Sequence, residues 1–375
     1  MRVGALSLAL VASAFGCSEP IEKVWQYPSY AASGSSPGVS EDLIVFGTAS
    51  GELHAVSKSG GALWKFGARK EIISAPQIFD GLVLFGSTNH NFYALDDKGR
   101  EVWKFTTFDR IKGDPLVSDN TVYFGSYDDH LYALDVTTKE QRWAFPPTDT
   151  TDAGKLAIAR ADAATKALWP KNDFSYSQPT LTSNGLIVSG NLDGYLYGID
   201  RATGELKWRW GEEHTVKAKA SITSTVLELD ETLYFGGNDG KVYALALNDQ
   251  SVKWSFETGD EVNSSPVIDE SGVLYIGSRD KKLYALDAKT GALKWSYDAQ
   301  GPILGKPALY KNLVLFGGGE GDGTVYAVDA ETGKLFWQYK TDGRIDADCV
   351  VDGDRFYVAS ADKNLYAFEI RETTK

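Results

Sequence analysis

The sequence predicts an all-β protein: one eight-bladed β-propeller of four-stranded blades, its ring closed by an N-terminal strand that completes the last blade. Three observations carry that prediction. The stretch VYALDAETGKLFW (325–337) is a near-copy of LYALDAKTGALKW (283–295), and five further versions stand at 53–64, 92–103, 131–143, 196–208 and 242–254. Aromatic residues (10 Trp, 19 Tyr, 17 Phe) and 38 Gly accompany a single Met, a composition suited to short strands and tight turns. An eighth half-copy, RFYVASADKNLYAFEI (355–370), ends without its tryptophan strand, while an orphan one, KVWQY (23–27), precedes the first copy. The two fragments complete each other when the chain closes into a ring, which removes the exposed edges an open array would present.

Each period reads as four strands. A short segment, often holding a proline, opens it: SAPQI (74–78), GDPLV (113–117), SQPTL (177–181), SSPVI (264–268) and GKPAL (305–309). Proline lacks a ladder donor and belongs at a strand start or sheet edge. A β-rich run ending in Gly follows, then a turn of Asp, Asn and Gly, then the strand holding the repeated Tyr, as in TVYFGSYDDHLYALD (121–135). Apolar and polar residues alternate on both sides of that turn, which is the hairpin signal. In Asp329-Ala-Glu-Thr-Gly333 the carboxylate suits the turn N–H groups and Gly333 suits a positive φ. The tryptophan four residues later offers a large flat surface for packing on the next blade. A blade cannot bury both of its faces alone, so copies stack.

The blade-docking tryptophans are Trp25, Trp64, Trp103, Trp143, Trp208, Trp254, Trp295 and Trp337, spaced 39, 39, 40, 65, 46, 41 and 42 residues apart. The long interval holds an insertion at about 146–176. Its Ala-rich part from Asp152 to Leu168 predicts a helix beginning near Thr151 or Asp152 and ending before Pro170. The 208–254 interval is also stretched, and STVLELDE (224–231) is read as the extra length.

The N-terminus, MRVGALSLALVASAFGCSEP, has one Arg, an apolar run and small residues, the layout of a secretory signal. Residues 1–16 read as a signal peptide, 17–22 as a tether and 23–375 as the propeller. Ala14-Phe15-Gly16-Cys17 resembles a bacterial lipobox, which implies lipidation of Cys17, and Ser18 resembles the sorting residue of outer-membrane lipoproteins. Ala12-Ser13-Ala14 offers a competing cleavage site that would leave Cys17 a free thiol or a partner for Cys349. The expected location is the outer membrane, anchored by lipid and facing the periplasm; a soluble periplasmic or cell-surface protein is the alternative. Formal net charge is −13, with no basic stripe, which excludes nucleic acid as a partner. Two cysteines, Cys17 and Cys349, are too few for a disulfide framework or a thiolate zinc site.

The A-x-D-x-x-T-G-x-x-x-W pattern at 285–295 and 327–337 resembles the tryptophan-docking repeat of quinoprotein (PQQ-repeat) propellers, over almost the whole mature chain. Among these, an exported chain of this length most resembles the BamB-type outer-membrane assembly lipoproteins. That resemblance implies a non-enzymatic, monomeric binding scaffold whose partner is the β-barrel assembly complex. The alternatives are a PQQ-dependent dehydrogenase and an exported ligand-sensing, carbohydrate-binding or peptide-binding propeller. The enzymes of the family resemble one another in a vicinal Cys pair and a calcium held by Glu, Asn and Asp beside the quinone. No Cys pair exists here, so neither PQQ nor calcium is expected as a cofactor.

No catalytic or metal-binding residue is assigned. GGGEGDGT (317–324) lacks the Gly-Lys-Ser/Thr ending of a phosphate loop and leads into a strand, so it reads as a long hairpin turn. His54, His90, His130 and His214 lack metal-ligand spacing, and Cys349 stands where other repeats have proline, as a small packing residue. Binding is expected at the mouth of the central channel, from Asp114, Gln178, Lys219, Lys306, Arg344, Asp346 and Asp348. Trp169, in the insertion, is a candidate partner anchor or a rim-packing residue.

Overall fold

The computed structural model describes residues 20–170, 172–174, 176–211 and 221–371. Among them stand eight antiparallel sheets of four strands, each in consecutive order. Blade 1 comprises Gly38–Val39, Leu43–Gly47, Glu52–Ser57 and Ala62–Gly67, from the inner strand outward, and six more blades follow the same plan. Blade 8 takes Val350–Asp352, Arg355–Ser360 and Asn364–Ile370 from the C-terminal end and its outer strand, Ile21–Pro28, from the N-terminal end. The strand begins at Ile21, two residues before the expected boundary at 23.

The register explains why Tyr-Ala and Trp recur together. In every blade the tryptophan pairs with a small residue of the third strand: Ala55, Ala94, Ala133, Gly198, Ala244, Ala285, Ala327 and, for Trp25, Ala367. A bulge beside that pair shifts the register each time, bending the outer strand away. The core is eight wedges, one in each gap between neighbouring blades, built from the alternating buried residues of the second and third strands. The glycine ending the second strand is demanded by that packing: a Cβ on Gly317 would sit 2.2 Å from Cγ2 of Ile345 in the next blade.

Tryptophan docking follows one geometry with an instructive exception. Six indoles donate from Nε1 to a turn carbonyl of the next blade: Trp25 to Lys58, Trp64 to Asp97, Trp103 to Val136, Trp143 to Arg201, Trp254 to Ala288 and Trp295 to Ala330, at 2.8–3.0 Å. Most lie over a turn glycine of positive φ, such as Gly333 beneath Trp295, where a Cβ would meet the ring at 2.6 Å. Trp208 instead folds over its own blade at Gly198 and its Nε1 is buried without a partner. The next blade has Gln250 (φ 58°) at the glycine position, and its Nε2 takes the Leu247 carbonyl at 2.8 Å. Trp337 packs with Phe356 and Phe368, where the last blade offers no matching turn.

Acidic turn residues are consumed by the same architecture. Asp135 accepts from the N–H groups of Thr137 and Thr138, and these bonds, with Arg142, hold its carboxyl down at about 2. Asp128, Asp193, Asp239, Asp280, Asp322 and Asp362 each accept from the tyrosine hydroxyl four residues on. GGGEGDGT forms the expected hairpin turn between Leu313–Gly317 and Thr324–Asp329.

Two readings of the long intervals are corrected. The insertion holds two helices in place of one: α1 (Asp152–Arg160), capped by Thr151, and α2 (Ala163–Ala167), where Asp162 accepts from Thr165 N at 2.7 Å and starts a new helix. STVLELDE is not extra length, because Leu227–Leu229 pairs regularly with Thr232–Gly236. The added residues of that interval fall between Trp210 and Ser221.

Candidate functional site

Two rings of side chains line the axis. The residue before the proline position of each period, held by Val226 and Cys349 in two of them, gives the first: Ser36, Ala75, Asp114, Gln178, Thr225, Ser265, Lys306 and Asp348. The residue three before the proline position gives the second, which includes Lys112, Tyr176, Thr223, Asn263, Leu304 and Asp346. They enclose a cavity of about 810 Å³, reaching from Leu192, Asn238 and Arg279 in the turns between second and third strands to Asp352 at the far end. The face bearing those turns also bears the connections from each outer strand to the next blade. It therefore carries the insertion after Gln141–Phe145.

Much of the first ring fastens neighbouring blades. Asp114 Oδ1 accepts from Ala75 N at 2.6 Å, Ser265 Oγ from Thr225 N at 2.9 Å, Asp348 Oδ1 from Lys306 N at 2.7 Å, and Ser36 Oγ from Asp348 N at 2.9 Å. Gln178 Nε2 donates to the Pro115 carbonyl at 2.9 Å. The last of the four N–H bonds joins blade 8 to blade 1. Burial, then the charge of Asp348, pushes the Asp114 carboxyl up to about 7 against the pull of the Ala75 N–H. Burial also raises Asp348, opposed by the Lys306 N–H and the Lys306 charge.

The sequence-predicted residues divide accordingly. Asp114, Gln178, Lys306, Asp346 and Asp348 do line the cavity. Arg344 does not: it is exposed outside the cavity, with Nε 2.6 Å from Asp346 Oδ2. Lys219 and His214 lie outside the described residues, as does Cys17, and Thr225 holds the ring position in that blade. Val226 stands there where other periods have proline. Ser36, Ala75, Thr225, Ser265 and all of the second ring but Asp346 were missed, though the position three residues before each proline would have found Lys112, Tyr176 and Asn263.

The second ring is chemically uneven. Lys112 lies 5.0 Å from the Tyr127 ring and 5.5 Å from that of Tyr176, and Arg110 stacks 4.6 Å from Tyr127. Across the next blades, Asn263 Nδ2 donates to Thr223 Oγ1 at 3.2 Å and to Asn238 Oδ1 at 2.9 Å. Beside the aromatic sector, burial, then the hydrogen bond and charge of Asp129, push Asp173 up to about 7. Burial holds Asp346 above the ordinary carboxylate range despite Arg344.

Among the described residues no histidine or cysteine lines the cavity, and no group of three His, Cys, Asp or Glu is placed to hold a metal ion. His54 is buried in the tyrosine slot of blade 1, its Nδ1 3.2 Å from the Tyr27 hydroxyl, and His90 adopts φ 71° in a turn. His130 meets the Asp128 carbonyl. Cys349 is buried and free, its thiol raised by burial and by Asp348. Trp169 is half-buried, packed on the cluster that includes Trp143, Phe145, Phe174 and Tyr197. Exposed apolar surface in the insertion belongs to Leu156, Leu168 and Tyr176, with Phe108 70% exposed nearby.

Known structures share this architecture. BamB from Moraxella catarrhalis is 16% identical, with a TM-score of 0.71, covering 95% of this chain and 99% of that one. The computationally designed Ika8 protein gives 17% identity and a TM-score of 0.74 over 93% of this chain and 99% of its own. The quinohemoprotein alcohol dehydrogenase of Comamonas testosteroni gives 15% identity and a TM-score of 0.74 over 95% of this chain and 77% of its own. At such identities these likenesses establish the fold alone. No curated protein matches the sequence. The family described as outer membrane protein assembly factor BamB matches residues 21–98, 79–167, 157–269, 238–322 and 314–375. With its repeats matched from the first strand to the last, the chain belongs to that family of PQQ-type repeat propellers.

Proposed function

We propose that this protein is a non-enzymatic binding scaffold of the periplasm, a lipid-anchored component of outer-membrane β-barrel assembly. The observation that carries the reading is the family match along the whole ring, joined to a division of labour among its residues. The repeated Asp, Tyr and Trp side chains fasten turns and blades, which leaves one face, with the cavity and the insertion, free to vary without disturbing the ring. Binding residues concentrate on connections held by a rigid scaffold. Docking then uses the exposed Leu156, Leu168 and Tyr176 of the insertion with Phe108 beside them, and the Lys112–Tyr127–Tyr176 sector for polar recognition. Outer strands, with residues such as Leu335 and Phe336 exposed, offer edges to which a partner strand can add.

The test is purification of the tagged protein from gently solubilised membranes of its host, with mass spectrometry of what accompanies it. Recovery of the barrel-assembly core protein, lost when residues 149–170 are replaced by a short Gly/Ser linker, is the expected result. Wild-type protein recovered without any partner would overturn the proposal of a stable subunit.

A further inference from the structure

We propose that the propeller stands with the first-to-second-strand-turn end of blade 8 toward the lipid headgroups, so that the opposite face, which bears the second-to-third-strand turns and is called the mouth face below, points away from the membrane. The inference rests on the lipid being carried by Cys17. Blade 8 fixes where the anchored end of the chain meets the ring. Ile21 pairs with Ile370, whose N–H donates to the Asp354 carbonyl at 2.8 Å, and Arg371 N–H donates to the Pro20 carbonyl at 2.9 Å. These residues belong to the face of first-to-second-strand turns. The strand then runs to Pro28, paired with Asn364, and Ser29 N–H meets the Lys363 carbonyl at 2.8 Å in the turn between second and third strands. Ile21 and the mouth face of second-to-third-strand turns therefore lie at opposite ends of the blade.

The tether length decides the rest. From Cys17 to Ile21 is four residue steps, at most about 14 Å fully extended. The strand Ile21–Pro28 spans seven steps, about 23 Å. A 14 Å tether is too short to bring the mouth face down onto the surface that holds the acyl chains. At the lipid-facing end of blade 8 and its neighbour every basic side chain of the turns is paired, Lys58 with Asp352 at 2.5 Å, Arg371 with Glu22, and Arg355 with Glu369 at 3.2 Å, while Glu41 and Asp42 are exposed, so this end is not built to draw anionic headgroups. Firm anchoring comes from the several acyl chains, and the surface need only rest against the bilayer.

The experiment uses full-length acylated protein in phosphatidylcholine vesicles carrying a headgroup nitroxide, with a fluorophore at Ser59→Cys on the lipid-facing end or Asp342→Cys on the mouth face. Both positions are exposed, and Cys349 is buried from the label. Mass spectrometry of the N-terminal peptide first establishes the acyl chains on Cys17. Quenching several-fold stronger at position 59 than at 342, abolished by a twenty-residue Gly/Ser insertion after Ser18, is the expected result. Equal or stronger quenching at 342 in acylated protein overturns the orientation alone; an unmodified Cys17 overturns the anchor and the orientation together.

Discussion

Single side chains decide how tightly neighbouring blades are joined. Replacing Trp295 by Phe removes the bond to the Ala330 carbonyl, a loss of about 1 kcal/mol beyond the change in packing. Trp208→Phe removes a buried donor that has no partner, so its urea midpoint falls less than that of Trp295→Phe. Gln250→Gly relieves a positive φ and releases the Leu247 carbonyl. In that background Trp208→Phe becomes as damaging as Trp295→Phe, because the indole has a dock to lose. Asp114 gives a second residue-scale prediction. Its carboxyl stays neutral in the fold up to about 7, whereas an unfolded Asp ionises near 3.9. The native state thus holds the extra proton between those values, and stability falls as pH rises through that window and levels off above it. Asp173, also raised to about 7, adds the same sign. Asp114→Asn keeps the acceptor for Ala75 N–H and is expected to gain on the order of 1–2 kcal/mol at pH 8 relative to pH 4, with partial solvation limiting the effect. Urea unfolding of both proteins at the two pH values checks it. The turn aspartates were legible from the sequence because their bonds are local, to N–H groups two to four residues away. The Trp208 exception was not, because it depends on Gln250 in another blade.

Strands and helices differ in how openly the sequence announces them. The four-strand period, its bulge and its tryptophan pairing repeat, so each copy corrects the reading of the others. The insertion has no second copy. Its helical composition was readable, but the break at Asp162 was not taken from Asp162-Ala-Ala-Thr165, although a short acceptor followed by N–H donors is a start signal in its own right. The excess length of the fifth period was misplaced for a related reason: Val226 stands where other periods have the proline that marks an inner strand, so STVLELDE was not recognised as holding one. Since α1 and α2 contribute little to the wedges between blades, replacing 149–170 by a short linker should shift the thermal midpoint by only a few degrees, the cluster around Trp143, Phe145 and Phe174 losing only the half-buried Trp169 from its margin. Differential scanning calorimetry of the shortened protein tests this, and a collapse of the transition would show that the insertion is part of the core.

At the scale of the whole molecule the ring was the most legible feature, because two incomplete fragments at the ends of a repeat have one economical arrangement. The cavity was half-legible: pre-proline positions found several of its walls, while the inward ring at Lys112, Tyr176 and Asn263 carries no repeated residue type to mark it. Removing residues 21–28 would leave Asn364–Ile370 as an open, strongly apolar edge. The truncated chain is expected to self-associate in light scattering and to unfold at lower urea, since an unpaired strand is a template for another. Closure also brings Arg371 within a hydrogen bond of Pro20. A linker of a few residues across that gap, with new ends cut between Gly211 and Ser221, would give a circular permutant with the same eight wedges. The order in which the ribosome delivers the blades is then a matter of gene history, and the ring itself has no first blade.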